Sequence, residues 1–174
     1  ILKKRVITAV LGSSLLIFCI IEVDTVIFTS FISIACAVAG YEMTSVTGIK
    51  NKIMTVLSIV FGALTPFIIC HSLWLNVNKT MLFICAFFIY LTLMTLLLFK
   101  NTLSVKFSSV AVTVFGTVFF SFCLTQGVII GNANKYISSD FTRTEGIYLI
   151  VFAFCVSWLT DTFAYLVGIK FGKH

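Results

Sequence analysis

The sequence predicts an all-α protein that crosses a membrane about six times. Three observations carry that reading. Of its 174 residues, 60% are hydrophobic and 10% are charged. Its apolar residues gather into six runs of helix-spanning length, and its Lys and Arg residues concentrate in alternate connections between those runs. A soluble domain is about one quarter charged, so this chain has too little polar surface to coat a globule in water. The runs are too long for strands and do not alternate with a period of two. An open sheet would also leave backbone groups unpaired in lipid.

Each run is close to the ~20 residues a helix needs to cross hydrocarbon. The first, residues 6–21, is the shortest and begins by Lys4 or Arg5. It starts near the end of the chain and is followed by five more, which argues against a lone cleaved signal peptide. Residues 26–47 form the second run and residues 53–74 the third. Pro66 lies inside the third and is expected to kink it or mark a local break. The fourth and fifth runs are residues 80–99 and 105–130. Gly131 to Glu145 is the longest polar stretch and reads as an outer loop, and residues 146–169 form the sixth run. No internal repeat, linker or soluble domain interrupts the chain, so 1–174 reads as a single transmembrane domain.

The basic residues set the expected orientation. Lys3, Lys4, Arg5, Lys50, Lys52, Lys100, Lys106, Lys170 and Lys173 fall on one side, and Lys79, Lys135 and Arg143 on the other. The richer side is expected to be cytoplasmic, and with it both ends of this multi-pass chain. Glu22, Asp24, Asp140 and Glu145 fall in the outer loops, leaving Glu42 and Asp161 within the membrane. The net charge of +6 therefore needs no nucleic acid. It is a rim facing anionic headgroups, one that could also attract a nucleotide or a lipid phosphate. Cys19, Cys36, Cys70, Cys85, Cys123 and Cys155 form no CxxC pair and read as small packing residues. His71 reads as an interfacial histidine. Gln126 and the many Ser and Thr residues read as local or cross-helix hydrogen-bonding groups. No metalloprotease, P-loop, nucleophile-elbow or dinucleotide motif is present.

The two membrane acids are the informative residues. A carboxylate at the bilayer centre costs about 2.5–3.5 kcal/mol, so it normally faces a cavity, a partner or an ion. Asp161 precedes Lys170 by roughly 13 Å of helix, and Glu42 precedes Lys50 by roughly 12 Å or less. Both helices run outward to inward, so both acids are expected at similar depth, opening toward the cytoplasm. Ser157, Asp161, Tyr165, Gly168 and Gly172 follow at steps of four, four, three and four, which puts them on one helical face. That face offers a hydroxyl, a hard oxygen ligand and a phenol. Gly168 and Gly172 form a GxxxG, which serves either close helix packing or backbone approach to a phosphate. Lys173 and His174 stand at the expected cytoplasmic mouth, where a cation can meet a phosphate. The competing reading of Asp161 is a structural hydrogen bond or buried pair between helices.

The segment SWLTDTFAYLVGIKFGKH, Ser157 to His174, closely resembles the phosphatidate cytidylyltransferase (CDP-diacylglycerol synthase) family. Members of that family carry a D-[ST]-x-A-Y-x-x-G-x-x-F-G-K-H run. The opening KRVITA, Lys4 to Ala9, resembles the family's start. AGYEM, Ala39 to Met43, resembles its second helix, where a Glu follows an aromatic residue. The resemblance implies that CTP and phosphatidate give CDP-diacylglycerol and pyrophosphate, with Mg²⁺ as cofactor. It implies Asp161 as the catalytic metal ligand, with Ser157, Tyr165, Gly168, Gly172, Lys173, His174 and Glu42 around the substrates. Expected partners are CTP, phosphatidate, the lipid bilayer and a second copy in a homodimer. The expected location is the cell's inner or plasma membrane, with the active side cytoplasmic. After Gly-Lys-His the family continues with a basic loop, more helices and further acids. The chain is therefore expected to be an N-terminal fragment, inactive by itself. Three other readings stay open: a transporter or proton-coupled carrier, a non-catalytic membrane subunit, and a CTP-dependent lipid kinase.

Overall fold

A computed structural model of the chain describes residues 12, 14, 17–23, 26–71, 78–100 and 105–172. Among them all regular structure is α-helical: α1 (Val26–Val46), α2 (Lys52–His71), α3 (Lys79–Lys100), α4 (Phe107–Gly131), α5 (Ala133–Tyr136) and α6 (Arg143–Phe171). Residues 17–21 are also helical and end the first predicted run, most of which lies outside the described residues. Five helices, α1 to α4 and α6, are long and apolar enough to cross a membrane. The chain is a polytopic helical membrane protein. The Gly131–Glu145 stretch is more ordered than a bare loop, because α5 and the first turn of α6 lie within it. The side chain of His71, the last residue of α2, lies outside the description.

The distribution of side chains follows from lipid as solvent. Phe99, Phe107, Phe115 and Ile169 face outward, while Thr29, Ser33, Thr44, Ser58, Thr65, Thr113, Thr117, Ser121 and Thr125 are buried. Lipid tails are as apolar as leucine, so burial of apolar groups no longer drives helix association. Small and hydroxyl residues that let backbones approach take the interfaces instead. The cysteines divide between the two environments, with Cys19, Cys36 and Cys70 buried and Cys85, Cys123 and Cys155 exposed.

The chain forms two compact units, one of residues 1–24 with 130–174 and one of residues 25–129. In the second, α1 and α2 are an antiparallel pair. Their connection is a Schellman turn: Gly48 adopts φ 72°, Gly48 N donates to Ser45 O, and Ile49 N donates to Thr44 O. Asn51 then caps α2, its Oδ1 accepting from Ile53 N at 2.9 Å. Along the pair, Gly40 lies against the Ser58 carbonyl and Gly62 against the Cys36 carbonyl. The Ser33 hydroxyl donates to Ala63 O at 2.6 Å, one turn before the buried Pro66, and α2 continues through that proline. On α4, Thr113, Thr117, Ser121 and Thr125 recur every four residues and are fully buried. Thr113 meets Thr47, in the turn just after α1, at 2.7 Å, and the Met43 side chain of α1 sits over Gly116. Across α2 and α3, Phe61 stacks on Tyr90 at 4.5 Å, and Tyr90 shares a 2.9 Å hydrogen bond with Ser58.

Candidate functional site

The candidate site lies on α6, and the sequence around its N-terminus fixes where that helix begins. Thr142 and Glu145 form a capping box. Glu145 N donates to Thr142 Oγ1 at 3.3 Å, and Thr142 N donates to Glu145 Oε2 at 2.7 Å. Two backbone donors at the helix start are thereby satisfied reciprocally. The first turn is also tied to its own unit. Arg143 Nη2 donates to Ile21 O at 2.9 Å, and the buried Asn132 Nδ2 donates to Val23 O at 2.9 Å. Gly146 packs on the end of α4, where a Cβ would lie 2.6 Å from Gly131 O. Gly131 in turn is covered by Ile150 and Val23. These anchors all hold the N-terminal end of α6 or the segment just before it.

The C-terminal part of α6 is different. From Val151 to Gly172 every residue is exposed except the half-buried Phe154. Ser157, Asp161, Tyr165 and Gly168 all lie on this stretch, and Gly172 is its C-cap, donating from its N–H to Gly168 O at 2.9 Å. The structure therefore brings five of the sequence-predicted site residues onto one helical stripe. Asp161 stands roughly 27 Å from the start of α6 and roughly 15 Å from its end. The neighbouring Thr160 and Thr162 hydroxyls donate back to Val156 O and Trp158 O, at 2.8 and 2.7 Å. Among the described residues, no group bonds the Ser157 hydroxyl, the Asp161 carboxylate or the Tyr165 hydroxyl. The GxxxG glycine Gly168 has nothing within 4 Å of where a Cβ would stand, so it serves no close packing among the described residues.

The remaining expected residues lie elsewhere. Glu42 is on α1, exposed, in the unit of residues 25–129. Lys173 and His174 fall outside the described residues. Among the described residues, no three His, Cys, Asp or Glu side chains gather to hold a metal ion. The donor chemistry of Asp161 is nonetheless that of a Mg²⁺ ligand, a hard oxygen not engaged by another described group. Sequence reasoning missed the residues that orient α6, namely Asn132, Thr142, Arg143 and Glu145. The available signal was the Thr142-x-x-Glu145 capping pattern ahead of an apolar run.

The profile of the cytidylyltransferase family matches residues 3–174. A phosphatidate cytidylyltransferase from Staphylococcus saprophyticus is 39% identical over 80 residues, which cover 43% of this chain and 30% of that protein. Those from Staphylococcus epidermidis and Staphylococcus haemolyticus are 38% and 36% identical over stretches of the same coverage. The matched stretch thus spans less than a third of the length of these relatives. No solved structure matches the chain significantly. A profile that runs the length of the spanning helices and through the Asp161 stripe leaves one assignment: the chain belongs to the cytidylyltransferase family.

Proposed function

We propose that the protein acts as a phosphatidate cytidylyltransferase, converting CTP and phosphatidate to CDP-diacylglycerol and pyrophosphate. The observation that carries this reading is the family match over residues 3–174, which takes in the exposed stripe of Ser157, Asp161 and Tyr165. The name shared by the curated relatives supports the choice of lipid substrate.

In the proposed reaction a phosphate oxygen of phosphatidate attacks the α-phosphorus of CTP. The bond from that phosphorus to the bridging oxygen breaks, and pyrophosphate leaves. Little covalent work falls to the protein in such a transfer, and positioning with charge neutralisation does most of it. Bound Mg²⁺ supplies neutralisation of the triphosphate and of the leaving pyrophosphate. Asp161 would hold that ion. Ser157 and Tyr165, within two helical turns, would orient phosphate or sugar oxygens by hydrogen bonds. Gly168 leaves open space for close backbone approach of a phosphate. Lys173 and His174 would pair with phosphate oxygens. The excess of Lys and Arg on one side supports a cytoplasmic approach for CTP, with phosphatidate entering from the adjoining leaflet.

The test is an assay of membranes containing the complete gene product, with CTP labelled at either the α- or the γ-phosphate. Label from the α position should appear in lipid only when phosphatidate and Mg²⁺ are present. Transfer of γ-label instead would replace this reading with a CTP-dependent lipid kinase, and transfer of neither would remove the enzyme reading.

A further inference from the structure

A second feature belongs to the unit of residues 25–129. Helices α3 and α4 leave between them an apolar groove of about 550 Å³, lined by Phe87, Leu98, Ala111, Val114, Phe119 and Phe122 among others. A groove of this size lies in the range that small-molecule sites occupy. Along α4 it runs from Phe107 to Phe122, roughly 22 Å, longer than the roughly 15 Å depth of one leaflet's hydrocarbon. Thr95 is the one polar side chain in its lining, and its hydroxyl donates to Thr92 O at 2.9 Å. The wall of the groove thus presents hydrocarbon.

One end of the groove is basic. Leu98 and Phe107 line that end, and the exposed Lys100 and Lys106 follow and precede them in the chain. Lys50 and Lys52 flank the nearby α1–α2 turn, whose Ile49 shares a buried cluster with Leu98, Val105 and Val110. Glu42 is the one acidic residue of the unit's described residues.

We propose that this groove binds an anionic glycerophospholipid of the bilayer, with an acyl chain between α3 and α4 and its phosphate at Lys100 and Lys106. The apolar wall accepts a chain of any headgroup class, and the lysines select the charge. No carboxylate lines the groove, so nothing in its wall repels the phosphate; the lipid of this proposal is a resident one, not the phosphatidate consumed in the transfer.

Native mass spectrometry of the purified chain, titrated with phosphatidylglycerol and with phosphatidylcholine, tests the proposal. The unmodified protein should retain phosphatidylglycerol preferentially. Lys100→Gln with Lys106→Gln should weaken that retention by roughly 30-fold, from the usual worth of two juxtamembrane cations. Lys79→Gln with Lys135→Gln removes the same charge elsewhere and should leave retention unchanged. Ala111→Trp fills the groove from an exposed position and should expel lipid of either class, with helicity checked by circular dichroism. Equal retention of the two lipids by the unmodified protein overturns the proposal. So does equal loss in both lysine pairs, or undiminished retention in the folded Ala111→Trp protein. If the Lys100/Lys106 protein does not fold, the lipid preference of the unmodified protein and the Ala111→Trp result decide.

Discussion

Gly62 of α2 rests on the backbone of Cys36 in α1, so closely that a Cβ at Gly62 would stand 2.5 Å from the Cys36 carbonyl oxygen. Gly40 repeats the relationship in the opposite sense against Ser58 O, also at 2.5 Å. Each helix thus contributes one glycine on which the other's backbone sits. The obstacle in both cases is main chain, which cannot rotate away. Gly62→Ala or Gly40→Ala should therefore force α1 and α2 apart and cost about 1–3 kcal/mol, the usual range for overpacking. Gly127→Ala is the matched control, because nothing lies within 4 Å of its added methyl. It should be neutral or stabilising by up to about 1 kcal/mol through helix propensity. Unfolding of the three variants in mixed micelles measures both signs.

These glycines show where the sequence stops being legible. The spanning helices are readable because hydrocarbon demands about 20 apolar residues in succession, and α1 to α4 and α6 fall within a few residues of the predicted runs. The Ser157–Gly172 stripe is readable because helical spacing alone puts those residues on one face. Nothing in the neighbourhood of Gly40, Gly62 or Gly127 tells which of them meets another backbone, since that depends on helix register. The Thr113, Thr117, Ser121, Thr125 repeat is visible as a step of four. Its burial is not, because in a wholly apolar helix hydropathy no longer marks the inward face. α6 begins three residues before the apolar run suggests, because polar capping residues look like loop until their reciprocal bonds are seen.

The Ser58–Tyr90 hydrogen bond joins α2 to α3 inside the bundle at 2.9 Å. Tyr90→Phe keeps the ring stacked on Phe61 and removes only the hydroxyl. The Ser58 hydroxyl also has the Met54 carbonyl within 3.1 Å, so it is not orphaned. The loss should be near the mean of about 0.6 kcal/mol for such bonds in membranes and below about 1.7 kcal/mol. A double-mutant cycle with Ser58→Ala should return a coupling of the same size.

Asn132 presents a larger liability. Its side chain satisfies the Val23 carbonyl at 2.9 Å, and both residues are buried. Asn132→Ala leaves that carbonyl without its side-chain donor at a cost of about 1–3 kcal/mol. Because Arg143 holds Ile21 two residues away, the effect should be local to the unit of residues 1–24 and 130–174. Hydrogen exchange should rise in the first turns of α6 and leave the α1–α2 pair unchanged.

Asp161→Asn tests the proposed reaction at the residue where a structural and a chemical role diverge. The exposed carboxylate has no described partner to lose, so the substitution should leave folding intact. It removes a formal charge from the apolar part of α6 and should, if anything, raise stability, because an unpaired carboxylate is costly in hydrocarbon. If Asp161 holds the magnesium nucleotide, CMP transfer should nevertheless fall by at least about 100-fold, since even groups that only orient a metal's ligands are worth up to about that much, and the Mg²⁺ requirement should shift to higher concentration. Asp161→Glu keeps the charge but moves the oxygens by one methylene, so it should recover part of the activity with an altered Mg²⁺ requirement. Transfer that persists at full rate in Asp161→Asn would take the metal away from this residue and return the stripe to a helix-contact role.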